Sequence, residues 1–201
     1  MSSIDYYDTN GEAFFADTVA VMDLPQRRSF LSHIPTGGAV LEAGCGSGRD
    51  ARFFVESGLA VTAFDGSATM VRLASAHTGL NVLHATFADM DWVEAFDGVW
   101  ACASLLHVPQ AELPDAFARI HRALRPGGFA FASFKRGKGE RSANGRRFTD
   151  LEVGDLTALL TDVGFEILEA DMSGDLRPGR EHEQWVSALA RRPLVEAADR
   201  A

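Results

Sequence analysis

Gly44, Gly46 and Gly48 alternate with small residues in VLEAGCGSGRD (40–50), directly after a short apolar run that holds an acid, Glu42. Glycine has no Cβ, so the backbone there can approach a ligand closely, and a strand-to-helix turn of this kind lies at the ligand edge of an open parallel sheet. A tight turn alone would also explain the glycines. The next apolar run, AVTAF, ends at Asp65, 21 residues beyond Gly44, about the spacing at which a carboxylate takes ribose hydroxyls. Further along, His107 follows a fourth apolar run at the same edge and is of the residue type that titrates near neutrality, which makes it a candidate general base. The segment KRGKGERSANGRRFTD (135–150) gathers Lys135, Arg136, Lys138, Arg141, Arg146 and Arg147 against only Glu140 and Asp150. Such a stretch is either a solvated loop or a device that draws and orients an anion, with Arg146 and Arg147 as the expected contacts.

Two nucleoside ligands with free ribose hydroxyls compete for the glycine turn, NAD and S-adenosylmethionine. A dinucleotide site prefers G-x-G-x-x-G, with the pyrophosphate on the helix N-terminus, whereas this chain has G-x-G-x-G.

The elements that must position these residues read as alternating strands and helices. Strands are expected at about 39–43, 60–64, 81–84, 97–102, 128–134, 165–171 and 184–191, with helices between most of them, the pattern of βαβ units around a mostly parallel sheet. Leu113, Phe117, Ile120 and Leu124 recur at helical spacing, and Pro126, Gly127 and Gly128 stop that helix. Thr149 with Glu152 reads as a capping box that starts another. The last two runs look like an antiparallel pair. Residues 1–35, with Tyr6, Tyr7, Phe14 and Phe15, stand outside the alternation and are expected as one or two helices over the ligand edge.

At 201 residues the chain can bury one core, so a single α/β domain is expected. A net charge of −9 argues against a chain that wraps nucleic acid. No apolar run reaches the length of a membrane span. Two cysteines, Cys45 and Cys102, and an opening MSSIDYYD without an apolar run suggest a reduced, cytoplasmic protein. The cysteines read as small buried apolar side chains, and His33, His77, His84, His121 and His182 lack metal-ligand spacing, so no metal is expected.

These motifs resemble the class I S-adenosylmethionine-dependent methyltransferases. The first is Glu42-Ala43-Gly44-Cys45-Gly46-Ser47-Gly48; Asp65 closes the second strand with Gly66, Ser67 and Met70 behind it; Asp89 lies in FADM; FDGVWACASLLHVP and LRPGGFAFAS follow. Similarity to tellurite-resistance-type and related small-molecule methyltransferases extends over YYDTNGEAFF, GSGRDARFF and GRRFTDLE. The resemblance implies a Rossmann-like, doubly wound seven-stranded sheet with its last strand antiparallel, helices on both faces and an N-terminal helical lid. Residues 1–35 would be the lid and 36–201 the S-adenosylmethionine-binding domain. Gly44, Cys45 and Gly46 would meet the methionine part of the cofactor and Arg49 its carboxylate. Asp65 would hold the ribose, Gly66 and Met70 would lie near the adenine, Asp89 and Met90 would recognise its edge, and Ala103 and Leu106 would close the pocket. His107, Tyr7 and Arg147 are the candidate catalytic residues, with Tyr6 and Tyr7 able to offer an aromatic face to the sulfonium. The partner is a small-molecule acceptor, anionic or a soft nucleophile. A non-catalytic S-adenosylmethionine-binding module and an NAD-dependent oxidoreductase are the rival readings; the acceptor's identity and the oligomeric state are left open.

Overall fold

The computed structural model describes residues 2–21, 24–177, 179–180 and 182–194. Strands β1 (Ala39–Ala43), β2 (Ala60–Asp65), β3 (Leu83–His84), β4 (Phe96–Ala101), β5 (Leu124–Lys135), β8 (Glu166–Gly174) and β9 (Gln184–Arg191) form one seven-stranded sheet in the order β3-β2-β1-β4-β5-β9-β8. β1 pairs in parallel with β2 on one side and β4 on the other, so the strand order reverses there and a crevice opens at the carboxyl ends. β9 runs antiparallel between β5 and β8.

The sheet is covered on both faces because adjacent core residues point opposite ways. Leu41 and Val99 join Leu113, Phe117 and Ile120 of α5 (Leu113–Ala123) and Leu156 and Leu160 of α6 (Val153–Val163). Their neighbours Val40 and Trp100 join Phe30 of α2 (Pro25–His33) and Phe54 of α3 (Arg49–Glu56). Trp100 stacks on Phe131 with centroids 4.0 Å apart, and Phe30 and Phe54 meet its ring edge-on. Gly98 makes room for α2, since a Cβ there would lie 2.5 Å from Phe30 Cζ. Each fully buried aromatic of this kind contributes about 1.5–3 kcal/mol through area alone.

The expected strands are all present, and three local expectations change. Helix α5 ends at Ala123, and Leu124 already pairs with Phe96 as the start of β5, with a register shift before Phe129 pairs Gly98. Helix α6 is capped by Glu152 with Asp155, not by Thr149, whose hydroxyl instead donates to the Val108 carbonyl at 2.8 Å. The basic stretch is a hairpin, β6 (Gly139–Ala143) with β7 (Arg146–Asp150), turned by Asn144 and Gly145 at φ 50° and 77°. An Asn-Gly pair with positive φ at both positions is a hairpin signal that was readable in SANGRR.

The N-terminal helices part company. α1 (Ser3–Thr18) packs on α4 (Ala68–Thr78) and β7 at the ligand edge, and Phe14 and Thr18 on its expected side line the cavity there. α2 is part of the core on one sheet face. Met22, expected on the α1 face, lies outside the described residues. No helix among the described residues is long and apolar enough to cross a membrane.

Candidate active site

β1 passes into α3 through Gly44, Gly46 and Gly48, with φ of 74°, 53° and 73°. All three lie in the left-handed region that other residues enter at a cost. A Cβ on Gly44 would sit 2.5 Å from Ser104 Cβ. Asp65 fastens the turn, its Oδ2 accepting from Gly46 N–H at 2.8 Å and its Oδ1 from Ser67 N–H at 2.9 Å, and burial raises its pKa. Over the turn opens a cavity of about 920 Å³. Gly44, Cys45, Gly46 and Arg49 line one part of it, and Ala103, Leu106 and His107 enter from the exit of β4. Ala103 is held at φ 55°, costly for a residue with a Cβ, while its N–H donates to Ser133 Oγ at 2.9 Å.

Charge on the cavity floor is arranged asymmetrically. Asp50 is buried and accepts from Arg49 Nε and Nη2, each at 2.8 Å, from Arg27 Nη1 at 3.2 Å and from Trp100 Nε1 at 3.0 Å. Glu42, also buried and on the cavity wall, has an Oε2 without a partner. Burial, with the like charge of Asp50 adding, pushes its pKa well above the usual carboxylate range. Such an orphaned carboxyl is costly unless a ligand donor meets it. An α-amino-acid end fits this floor, with an ammonium for Glu42 and a carboxylate for Arg49, and S-adenosylmethionine ends in that group. Burial also raises both thiols, Cys102 to about 11, so they act as small apolar side chains and not as nucleophiles.

Asp65, Gly66, Met70, Asp89 and Met90 do not line the cavity. Helix α1 covers part of that side: a Cβ on Gly66 would lie 3.1 Å from Ile4 Cδ1, and Asp8 accepts from Ser67 Oγ at 2.6 Å. Met70 and Met90 are buried in the core. The Asp89 carboxylate caps its own 3-10 turn, accepting from Thr86 N–H at 2.8 Å and Thr86 Oγ1 at 2.7 Å.

On the opposite side, three elements meet at His107. Its Nδ1 lies 2.7 Å from the Arg147 carbonyl, which can only accept, so Nδ1 carries the proton. Nε2 then accepts from Tyr7 Oη at 2.8 Å. Burial holds the ring's pKa down to about 4. In this arrangement the ring is neutral at pH 7, its Nδ1–H given to the Arg147 carbonyl and its Nε2 lone pair taken by Tyr7 Oη.

The basic segment also differs from the expectation. Lys135 is buried between Asp175, at 3.0 Å, and Glu183, with Trp185 Nε1 donating to the same Asp175 at 3.0 Å. Arg136 pairs with Glu152 and Arg141 with Asp150. Lys138 and the Arg147 side chain are exposed and off the cavity wall. Arg147 contributes its backbone, bonded to His107 and to Ser3. Arg146 is what remains: it lines the cavity with its guanidinium 4.6 Å from the Tyr6 ring centre and 5.1 Å from that of Phe148, and its Nε has no partner. Among the described residues it is the one lysine or arginine on the wall without a carboxylate partner. Glu42, Phe148 and the acids Asp175 and Glu183 that engage Lys135 received no site role from the sequence, because their meeting depends on the hairpin and on the β8–β9 connection.

Comparison with known proteins agrees with this architecture. Residues 40–128 match the family model described as "Methyltransferase domain". A malonyl-[acyl-carrier protein] O-methyltransferase of Salmonella typhimurium is 35% identical over 113 residues, covering 54% of this chain and 41% of that one; the chain thus spans about two fifths of that relative's length. A Burkholderia thailandensis 1,6-didemethyltoxoflavin-N1-methyltransferase, solved with 1,6-didemethyltoxoflavin and S-adenosylhomocysteine, is 25% identical, with a TM-score of 0.77 over 94% of this chain and 85% of that one. A TehB-like methyltransferase from Corynebacterium glutamicum shares the fold, at 21% identity and a TM-score of 0.72 over 94% and 98% of the two chains. In its glycine turn, strand order and matched segment the chain is similar to the class I S-adenosylmethionine-dependent methyltransferases.

Proposed function

We propose that the chain is an S-adenosyl-L-methionine-dependent methyltransferase acting on a small anionic acceptor. The observation that carries the acceptor class is Arg146, a cavity-lining guanidinium with no carboxylate partner among the described residues. A partly buried cation left unpaired is costly, and an anion docking there recovers that cost. The cofactor, when bound, supplies a methyl group on a positively charged sulfur, so the protein's task is to bind, align and keep water out. Glu42 and Arg49 hold the amino-acid end, the Gly44–Gly46 backbone approaches it, and Asp65 takes the ribose. Gly66 and Asp89 border the adenine, with Met70 and Met90 as packing behind them. Helix α1 serves as the lid: Tyr7 and Phe14 wall the cavity, while Ile4 and Asp8 close over the Gly66–Ser67 turn. The two free thiols suit the reducing cytoplasm.

Calorimetry with S-adenosylmethionine, S-adenosylhomocysteine and NAD tests the cofactor half. Both sulfur nucleosides should bind, NAD should not, and Asp65→Ala should lose the binding. For the acceptor half, Arg146→Glu should abolish binding of anionic acceptors while Arg147→Glu leaves it within about twofold; equal effects of the two reversals would remove Arg146 from the site.

A further inference from the structure

Resting on that reading, the arrangement around Arg146 narrows the acceptor. The guanidinium has two usable edges. Nη1 points to Tyr7 Oη at 3.4 Å, which leaves the edge made by Nε and Nη2: Nε is buried without a partner, and Nη2 bonds to no described residue. The same edge of Arg49 forks onto Asp50 with two bonds of 2.8 Å. The rings of Tyr6 and Phe148 pack against the guanidinium and help fix its plane. A planar fork with a single unit of uncompensated charge is complementary to a planar monoanion, more than to a tetrahedral dianion.

Apart from Glu42, held for the cofactor's ammonium in the reading above, and the solvent-exposed His182, the wall groups that could take a proton from the acceptor are engaged. His107 spends both ring nitrogens on Tyr7 and Arg147. The wall carboxylates Asp50, Asp150, Glu152, Asp175 and Glu183 are each engaged by a lysine or arginine. The other wall histidine, His182, is exposed to solvent.

We infer that the acceptor is a carboxylic acid, docked as its carboxylate on the Nε and Nη2 edge of Arg146 and methylated on an oxygen that is ionised before it binds. The bond formed is carboxylate O–CH3 and the bond broken is the donor's S–CH3, whose electron pair stays on sulfur. The carboxylate and sulfonium charges cancel, so an ester forms without release of a proton. His107 is then a positioning residue, holding Tyr7 Oη where Arg146 meets it.

The test uses the full chain saturated with S-adenosylhomocysteine, titrated with propionate, benzoate and monoethyl malonate, with the matching amides, and with methylphosphonate and tellurite. At least one carboxylate should bind about tenfold or more tighter than its amide. Arg146→Gln should erase the preference, and Arg146→Lys, which keeps charge but not the fork, should not restore it. Equal binding of amide and acid, a preference that survives Arg146→Gln, or no carboxylate binding up to about 10 mM overturns the inference. Binding of methylphosphonate or tellurite through Arg146, with carboxylates excluded, would leave the anionic reading standing and remove only the carboxylate. With S-adenosylmethionine in weak buffer, turnover of a bound carboxylate should release no proton. Turnover of an alcohol or amine with one proton released, titrating with a group lost in His182→Gln, would also defeat it.

Discussion

Taking the protein from pH 7 to pH 5 should remove about 2 kcal/mol of folding stability through His107 alone. Burial, followed by the positive charge of Arg146, holds the ring's pKa down from 6.5 to about 4, against the raising effect of the Arg147 carbonyl. In the unfolded chain the same ring takes its proton near 6.5. Between those values the unfolded state binds more protons than the folded one, so stability falls as pH drops through the window. Integrating proton binding from pH 7 to pH 5 gives about 2 kcal/mol, an upper figure because the ring is only half-buried from solvent. The loss stops growing below about pH 4, where both states are protonated. His107→Gln deletes the titration while leaving an amide able to bond Tyr7 or the Arg147 carbonyl. Urea denaturation of both proteins at pH 7 and pH 5 isolates the term, since His77 and His121, whose pKa values burial also lowers, cancel in the difference. The wild type should lose more than the variant by up to about 2 kcal/mol. Equal losses would refute the neutral, doubly bonded ring.

Glu42→Gln should raise the melting temperature of the ligand-free protein at pH 8, because a carboxyl whose pKa is raised by burial loses stability as pH climbs above its ordinary range. The same change should weaken S-adenosylmethionine binding by tenfold or more, the cost of about 1.5–3 kcal/mol for a lost bond to a charged group, read by calorimetry. Phe30→Ala should cost about 3–5 kcal/mol in urea denaturation, since Phe30 is fully buried against Phe54 and Trp100. Tyr7→Ala on α1 should cost less than half of that while weakening ligand binding, which separates the core helix α2 from the covering helix α1.

The strand pattern and the ligand edge were legible in the chain because they depend on neighbours in sequence. Val40 and Leu41, or Val99 and Trp100, belong to short continuous apolar runs of the kind a strand buried on both faces requires, and the glycines at 44, 46 and 48 satisfy a local backbone requirement. The same holds for Asp65, whose tie to Gly46 follows from two adjacent strands ending together. The ends of α5 and α6 moved because Leu124 and Thr149 took tertiary partners, Phe96 and Val108, in place of the helical roles their spacing suggested. What only the tertiary structure decided is which charges are free. Six cations crowd 135–150 in the sequence, yet Lys135 is neutralised from 40 residues away by Asp175, and Arg141 by Asp150 on the other strand of the hairpin. Hairpin pairing turned Arg146 toward the cavity and its neighbour Arg147 to solvent, as the two-residue alternation of a strand requires. His107 has the composition of a base, but its function depends on whether water or protein meets its two nitrogens; α1 and β7 supply protein to both, a matter of packing that residue type does not encode.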